Sequence, residues 1–413
     1  MERGGAQAAS SSTSLGSIIA LVEDPIEVGT VIQSGMAQVF ESWKALRNGI
    51  LGDGKPSEEK RRRMEDGRAQ GVVSSGAERS RRTSGDGFTD AELLDDCKHR
   101  DGSIYRRTDY FGRRYRLHDI SGTCLEPMIM SQPFTSCQPN WKDCKTHSSF
   151  PMLQIFSLKL AHSVVDGPVQ LYGYLAVRDV LNPLRNYIFN RTRADPFIVE
   201  RGGFIHMSGP KRGITMDAMV LTEFDMKIRR GKEGGDLQLI DGAIVFNNFG
   251  CRHGRLNTQR IHGDSGAVDI SFALLHRAVE ATVQVEISEL RQGSGLSLCL
   301  TASHLSDYLL DEIRLFDGVI AAGGCELKRS VVAVLYDSKF LVALKLSQAG
   351  GSDHRVIHRL CVCQPALHGD TIFILKLGFT TIQLKACNFL WPSSNPDAGC
   401  GASINENREV IYS

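Results

Sequence analysis

From Met152 to Asn388 apolar and polar residues alternate with a period of two, again and again. Val169, Leu171, Gly173, Leu175 and Val177 fall on one face of an extended segment, with Gln170 and Arg178 opposite. Val220, Thr222, Phe224, Met226 and Ile228 stand likewise against Glu223, Asp225 and Lys227. A third run sets Val279, Ala281, Val283, Val285 and Ile287 against Glu280, Thr282, Gln284 and Glu286. Successive side chains of a strand point to opposite faces, so this is the pattern of half-buried strands and not of helices. Asp166-Gly167-Pro168, Lys232-Glu233-Gly234-Gly235 and Gly350-Gly351-Ser352 supply turn chemistry between such runs. Strands at this spacing, with no long helical pattern between them, predict a sandwich or barrel. One polar face on most strands favours two sheets on one core, an all-β antiparallel β-sandwich-like domain over residues 152–388. The chain shows no internal repeat.

The first 151 residues differ in character. Residues 1–25 are rich in Ser, Ala and Gly and read as disordered. Over residues 26–50, Val28, Ile32, Met36, Val39, Trp43 and Leu46 recur at three and four residues, the stripe of an amphipathic helix ending near Gly49. Such a helix packs on its own protein or docks a partner, and short helices usually need tertiary support. Residues 51–87 form a charged linker with almost nothing apolar to bury. Its clusters Lys60-Arg61-Arg62-Arg63 and Arg79-Ser80-Arg81-Arg82 are solvated runs, a nuclear address or a nucleic-acid contact. Thr89-Asp90-Ala91-Glu92 has the form of a capping box and predicts a short helix within an arm over residues 88–151. That arm interleaves Arg106, Arg107, Arg113 and Arg114 with Tyr105, Tyr110 and Tyr115. Such residues can stack bases and neutralise phosphates, or can lie across the main domain with the arginines on surface carboxylates. No RNA-module signature is present, which favours the second arrangement. Residues 389–413 read as a flexible tail.

Composition narrows the classes. A hydrophobic fraction of 42% and a charged fraction of 23% are those of a soluble globular protein. A net charge of +1 argues against a globally basic nucleic-acid binder. Eleven scattered cysteines make no disulfide scaffold and suit a reducing compartment. Cys361 and Cys363, two apart in a strand-like run, are expected on one face as packing residues. The apolar run Leu15 to Val22 lacks a basic leader, and nothing approaches the ~20 apolar residues of a membrane span. The expectation is a cytoplasmic or nuclear protein without membrane contact.

Several constellations suggest chemistry and are weighed against plainer readings. Gly263-Asp264-Ser265-Gly266 resembles a serine-protease nucleophile segment, with Thr301-Ala302-Ser303-His304 echoing the histidine. In chymotrypsin-like proteases the histidine comes first, and here it follows. Ala267 also stands where a second glycine belongs, so a tight turn before a strand is the better reading. Cys124, Cys137, Cys144 and His147 are suitable zinc ligand types, but only Cys144 and His147 are close-spaced. Buried small hydrophobes account for them as well. Ser208-Gly209-Pro210-Lys211-Arg212-Gly213 looks like a phosphate cradle but lacks the Walker spacing and a following helix. It reads as a turn that displays Lys211 and Arg212. Asn190-Arg191-Thr192 matches a glycosylation acceptor and carries little weight without a secretion signal. No catalytic set is assigned and no cofactor is expected.

Ordered segments across the domain carry a resemblance. They include Met152-Leu-Gln-Ile-Phe-Ser-Leu-Lys-Leu, Leu171-Tyr-Gly-Tyr-Leu-Ala-Val-Arg-Asp, Asn186-Tyr-Ile-Phe-Asn-Arg and Gly209-Pro-Lys-Arg-Gly. Leu237-Gln-Leu-Ile-Asp-Gly, Ile261-His-Gly-Asp-Ser-Gly-Ala, Ala278-Val-Glu-Ala-Thr-Val and Glu312-Ile-Arg-Leu-Phe-Asp-Gly complete it. From Met152 to Asn388 the chain resembles a domain of unknown function abundant in cereal grasses. The resemblance implies a plant protein, a β-sandwich-like fold, no established activity and a variable N-terminal extension. Fusion of the domain to ribosome-inactivating rRNA N-glycosylases in some relatives implies a stress or defence setting. Depurination itself needs a Glu and an Arg one helical turn apart. Glu326 and Arg329 have that spacing, but they precede the strand-like run Ser330 to Leu335.

Three functions follow from this reading. The first is a non-catalytic interaction module for a protein or carbohydrate partner, because no acid, base and nucleophile converge. The second is an enzyme, an rRNA N-glycosylase or other hydrolase, whose site is assembled from distant residues. Asp179, Asp195, Glu223, Asp225, Asp264 and His262 are its candidates near strand ends. The third is RNA or ribosome association through Arg106, Arg107, Arg113 and Arg114.

Overall fold

The computed structural model describes residues 17–21, 91–123 and 148–389, apart from 218, 233, 248–252, 289, 291–294, 306–310, 322, 350–355 and 368. The expected helix over 26–50, the linker over 51–87 with both basic clusters, and the tail beyond 389 lie outside the described residues. So do Cys124, Cys137, Cys144 and His147.

Alternation produces strands almost throughout. In chain order, β1 (Ser17–Leu21) and β2 (Ala91–Leu93) precede the main run. There follow β3 (Phe150–Ser163), β4 (Val169–Arg178), β5 (Asn186–Arg191), β6 (Phe197–Val199), β7 (Phe204–Ile205), β8 (Ile214–Thr215), β9 (Met219–Ile228) and β10 (Leu237–Asn247). Then come β11 (Asn257–Gly263), β12 (Gly266–Ser288), β13 (Gly295–Leu305), β14 (Ile313–Ile320), β15 (Cys325–Glu326) and β16 (Ser330–Leu335). The last are β17 (Lys339–Ala349), β18 (Ile357–Cys363), β19 (Gly369–Leu377) and β20 (Thr380–Phe389). A ten-stranded sheet runs β1-β19-β20-β12-β3-β7, with β11, β15 and β16 also on β12 and β8 on β3. A six-stranded sheet runs β2-β10-β9-β4-β5, with β6 on β4, and a four-stranded sheet runs β14-β13-β17-β18. Neighbouring strands are antiparallel apart from β1, which lies parallel to β19. All described residues belong to one compact unit.

The expected single core is two cores. β12 has 23 residues, and at about 3.3 Å per residue it is too long for one sandwich. Val268, Ile270, Phe272 and Leu274, on one face of its first half, join β3 and the six-stranded sheet in one core. Val279, Ala281, Val283, Val285 and Ile287, on the other face of its second half, join β16, β19, β20 and the four-stranded sheet in another. Cys361 and Cys363 pack in the second core, as their spacing predicts. Burial raises both thiols to about 12, so they stay protonated packing groups.

The Gly263-Asp264-Ser265-Gly266 segment is the two-residue turn between β11 and β12, whose register pairs Gly263 with Gly266. A Cβ on Gly263 would overlap the Leu239 carbonyl, and one on Gly266 the His162 carbonyl. Close backbone approach therefore accounts for both glycines without a nucleophile.

The arm over 91–123 forms a third layer on the outer face of the six-stranded sheet. Leu94, Cys97, Ile104, Tyr115 and Leu117 bury themselves against Leu221, Ala243 and Val245. The capping-box helix does not form: Ala91–Leu93 is β2, pairing with β10. An unpaired sheet edge offers a row of backbone partners, which outweighs a local capping preference. The arm's helix is instead α1 (Tyr110–Arg114), capped by Asp109, whose carboxylate accepts from the Gly112 N–H at 2.9 Å.

Because β12 belongs to both cores, the two sandwiches should unfold together. Phe272→Ala in the first core and Phe340→Ala in the second are each expected to cost about 3–5 kcal/mol. Chemical denaturation of either variant should show one shifted transition. Two transitions, only one of them moved by each substitution, would refute a shared cooperative unit.

Candidate functional site

Arg178, Glu223 and Asp241, on the polar faces of β4, β9 and β10, are buried. They meet the arm in a buried ionic network centred on Glu223, which together with Arg178 exposes no side-chain surface (0%). Glu223 Oε1 accepts from Arg178 Nε at 2.8 Å and Arg185 Nε at 2.7 Å. Its Oε2 lies 3.1 Å from His99 Nε2, and His99 Nδ1 lies 2.8 Å from Asp241 Oδ1. Arg178 also donates to the carbonyls of Tyr115 at 3.2 Å and Asp119 at 2.7 Å, which fastens the arm. Arg185 donates to the Tyr174 hydroxyl at 2.7 Å and lies over that ring at 4.5 Å. Desolvation works against ionisation of Glu223, but His99, Arg178 and Arg185 outweigh it and hold the carboxyl at about 2. Desolvation likewise opposes charge on His99, and the hydrogen bonds to Asp241 and Glu223 reverse it, raising the imidazole above its ordinary 6.5. These groups attach the arm.

The arm's own arginines divide. Arg107 is half-buried and donates to Asp109 and to the Asp95 carbonyl at 2.8 Å. Arg106, Arg113 and Arg114 are exposed. Arg106 donates to the Asp101 carbonyl at 3.1 Å, and Arg113 to the Thr108 carbonyl at 2.7 Å. Tyr110 is exposed, while Tyr115 is buried with its hydroxyl donating to the Met219 carbonyl.

The cradle-like segment turns inward. Arg212 is not displayed: it is buried, and its guanidinium donates to Asp179 at 2.6 Å. Lys211 is half-buried. A Cβ on Gly209 would overlap the Tyr187 carbonyl, and the Gly213 N–H donates to Glu280 Oε2. Glu280 is buried past the end of the first sandwich, with Oε1 unpartnered. Desolvation pushes it up to about 7.

Where the two sandwiches meet, a cleft of about 210 Å³ opens. Its walls come from Gln154 and Ile155 of β3, the loop 206–210, residues 313–316 of β14, and residues 328–331 leading into β16. Gln154 closes the floor, accepting from the Ala333 N–H at 2.7 Å and donating to the Ile155 carbonyl at 2.6 Å. His206, Arg314, Lys328 and Arg329 supply its ionisable groups, and no carboxylate or thiol lines it. Lys328 Nζ donates to the Ser208 carbonyl at 2.6 Å. Arg314 pairs with Asp317 at 3.0 Å and Arg329 with Glu326 at 3.5 Å, both outside the cavity. Glu326 and Arg329 meet across residues 327–329, which lie between β15 and β16.

The other chemical candidates do not converge. Asp264 pairs with exposed Arg100 of the arm, Asp195 with Arg191, and Asp225 with Lys227. His262 is exposed on β11. His304 is buried in the second core, 3.0 Å from the Ala333 carbonyl, and desolvation lowers it to about 4. Ser265 sits on the turn of the first sandwich, so no protease pair forms. Among the described residues no group of three His, Cys, Asp or Glu is placed to hold a metal ion.

Sequence reading did not find His99, Arg185, Asp241 or the cleft residues His206, Arg314 and Lys328, and it weighed Arg329 only as a depurination partner of Glu326. The one signal available for the network was the arm's apolar set Leu94, Cys97, Ile104 and Leu117, which needs a surface to cover. No local pattern marks the cleft, whose walls come from four distant segments.

Removing Glu223 leaves buried guanidinium groups unpaired, so Glu223→Gln is expected to cost about 3–5 kcal/mol. The folded pKa of Glu223 lies below its ordinary 4.5, so its contribution is present above that value and is lost as pH falls towards about 2. That of His99 is raised, so its contribution is present below 6.5 and is lost as pH rises through the folded value. Amide protection over residues 94–117, corrected for the intrinsic pH dependence of exchange, should therefore be greatest between these limits and fall on either side. A flat profile would dismiss the network as the fastening. Glu280 works oppositely: between its ordinary 4.5 and about 7 the folded state keeps a proton the unfolded chain has released. Stability drains away across that window, so Glu280→Gln should raise the denaturation midpoint at about pH 8 more than at about pH 4. An equal shift at both would refute the burial-induced protonation.

Human GIVD cytosolic phospholipase A2 matches with a TM-score of 0.20 and 12% identity, over 58% of this chain and 33% of that chain. This chain thus spans about a third of the phospholipase. The calcium-bound tandem C2 domains of Extended-Synaptotagmin 2 match with a TM-score of 0.20 and 8% identity, over 60% of this chain and 100% of that chain. At such scores neither bears on activity. No curated protein matches. Residues 152–386, more than half of the chain, match a family profile described as a domain of unknown function (DUF6598), and the chain belongs to that family.

Proposed function

We propose that this protein is a non-catalytic β-sandwich interaction module whose ligand site is the cleft between its two sandwiches. The observation that carries this is the cleft's chemistry. Hydrolysis and glycosyl transfer need a base or nucleophile oriented by a second group. The cleft's histidine has no carboxylate beside it in the wall. Desolvation, Arg191 and Lys328 hold His206 below its ordinary 6.5, and no hydrogen bond joins it to Ser208 or Ser330 among the described residues. The strongly perturbed carboxylates, Glu223, Glu280 and Asp236, do not line the cleft. A protein or carbohydrate partner would place a single side chain or ring in a cavity of this size. A stress or defence setting rests on the family resemblance alone.

A second reading has its own observation: Arg106, Arg113, Arg114 and Tyr110 face solvent together on the arm. They form a basic patch with one stacking ring, suited to weak RNA association.

Incubating the purified full-length chain with ribosomes tests the first reading. No aniline-dependent release of the large-subunit rRNA fragment is expected beside an active N-glycosylase control. Release by this chain would overturn the non-catalytic reading. For the second, Arg113→Gln/Arg114→Gln should weaken binding to single-stranded RNA and flatten its salt dependence. Unchanged affinity and slope would remove the arm as the contact.

A further inference from the structure

The edge of β16 that borders the cleft carries main-chain groups with no strand beside them. Along an antiparallel pair, residues alternate between those that bond across it and those that point away. Ala333 points away from β12: its N–H donates to Gln154 Oε1 at 2.7 Å, and its carbonyl accepts from His304 Nε2 at 3.0 Å. Tyr336, of the other parity, turns its N–H to the Arg277 carbonyl of β12 at 2.7 Å. The register between β12 and β16 runs without a shift, with Glu280 opposite Ala333 and Thr282 opposite Val331. Val331, two residues before Ala333, therefore aims its own N–H and carbonyl away from β12, at the edge where it lines the cleft.

Ala333 is satisfied there and Val331 is not. Among the described residues, β16 has β12 as its one strand partner. The neighbouring walls have committed their main chain elsewhere. Ser208 and Gly209 donate to the Ile188 carbonyl, the Ser208 carbonyl accepts from Lys328, and β14 pairs with β13. Yet Val331 is only 3% exposed. A buried main-chain donor and acceptor without partners cost free energy, and nearly all such groups in folded proteins are paired. The groups best placed to meet both are those of another strand, about 4.8 Å away. Sheet edges hold extended peptides in this way, with the main chain giving affinity and side-chain pockets giving selectivity. Half-buried Pro210, Leu315 and Phe316 supply such a pocket, lining the same cleft with apolar surface. At about 210 Å³ it has room for a side chain and not for a drug-sized ligand.

We propose that the cleft receives an extended segment of a partner protein, which pairs in strand fashion with the free edge of β16 at Val331 and lays an apolar side chain against Pro210, Leu315 and Phe316. This rests on the reading of the protein as an interaction module, and it selects a polypeptide over a carbohydrate as the partner.

The test adds the capped pentapeptide acetyl-Ser-Val-Leu-Val-Ser-amide, and its forms with Val or Phe at the centre, to the full-length protein. At about 1 mM at least one should shift the Val331 amide resonance and slow its exchange with solvent about ten-fold. Successive N–H groups of a strand point to opposite sides, so methylating alternate peptide nitrogens should weaken binding about ten-fold. Methylating the intervening nitrogens should leave it unchanged. Val331→Pro removes the N–H on the cleft side without touching the ladder to β12. It should lose about ten-fold in affinity with an unchanged circular dichroism spectrum. If that variant does not fold, the methylated peptides on the native protein decide alone. Equal affinity for every methylated form, equal loss at every position, or peptide binding that leaves Val331 unmoved would overturn the strand pairing. So would a Val331 amide that contacts water only and responds to no peptide. Cellobiose is run beside the peptides: a response of the cleft to the sugar and not to them would overturn the inference and keep the interaction module. Turnover on ribosomes would sink the module reading separately.

Discussion

A strand in a sandwich ordinarily gives one face to a core and the other to water, but β12 gives its two faces to different cores. Even-numbered residues from Val268 to Leu274 serve the first, and odd-numbered residues from Val279 to Ile287 serve the second. Both edges of the strand are occupied as well. β3 pairs along its first half with β20 beyond it on the same edge, and β11 followed by β16 takes the opposite edge. The position of each remaining element follows from this one strand. Past the end of the first sandwich, Glu280 and Thr282 keep the face that would have entered its core, yet they remain buried. A carboxyl in that position needs a local cap, and the inward fold of residues 209–213 provides one through the Gly213 N–H.

The cleft is a product of the same geometry. β3 and β16 pair with opposite edges of β12 and meet at Ala278, which partners both Phe150 and Leu335. Gln154 reaches from β3 to β16 with its side chain and accepts from the Ala333 N–H. The seam therefore has a polar plug at its base and is walled above by the loop 206–210 and by β14, neither of which closes over it. A concavity between two packed units, with a few convergent charges, is a common form of ligand site. Here it arises because one strand serves two sandwiches.

Much of the fold was legible in the sequence. The three apolar series at Val169, Val220 and Val279 all face cores, the turns at 166–168 and 263–266 form, and the strand-like run Ser330 to Leu335 is β16. Period two reports which residues share a face, and nothing in it reports what lies over that face. For this reason Arg178 and Glu223 read as solvated while they are among the most buried side chains of the molecule. The same limit hid the second core: the apolar positions of β12 pass from even to odd numbers across Leu275–Ala278, where its register with β3 shifts, and no partner is named by that change. Lys211 and Arg212 read as equivalent neighbours on a turn. Their difference lies in Asp179, which awaits Arg212 from the end of β4 and has no sequence relation to it. The cleft was illegible for a further reason: its wall residues lie in segments that only tertiary structure brings together.

The ionic network also separates the physical domain from the segment that defines its family. Arg178, Arg185, Glu223 and Asp241 all lie within the matched residues, whereas His99 and the carbonyls of Tyr115 and Asp119 lie upstream of them. Two guanidinium groups and two carboxylates could not share that surface in water-exposed form at the same stability, since each is positioned for partners that the arm supplies. Leu221, Ala243 and Val245 would lose their cover at the same time. Exposure of apolar surface and loss of charge partners act in the same direction, so the sheet without its arm is a different and weaker object than the sheet beneath it. Contact physics therefore extends this folded unit upstream of its recognisable sequence, through the arm from Ala91 and through β1, which pairs with β19.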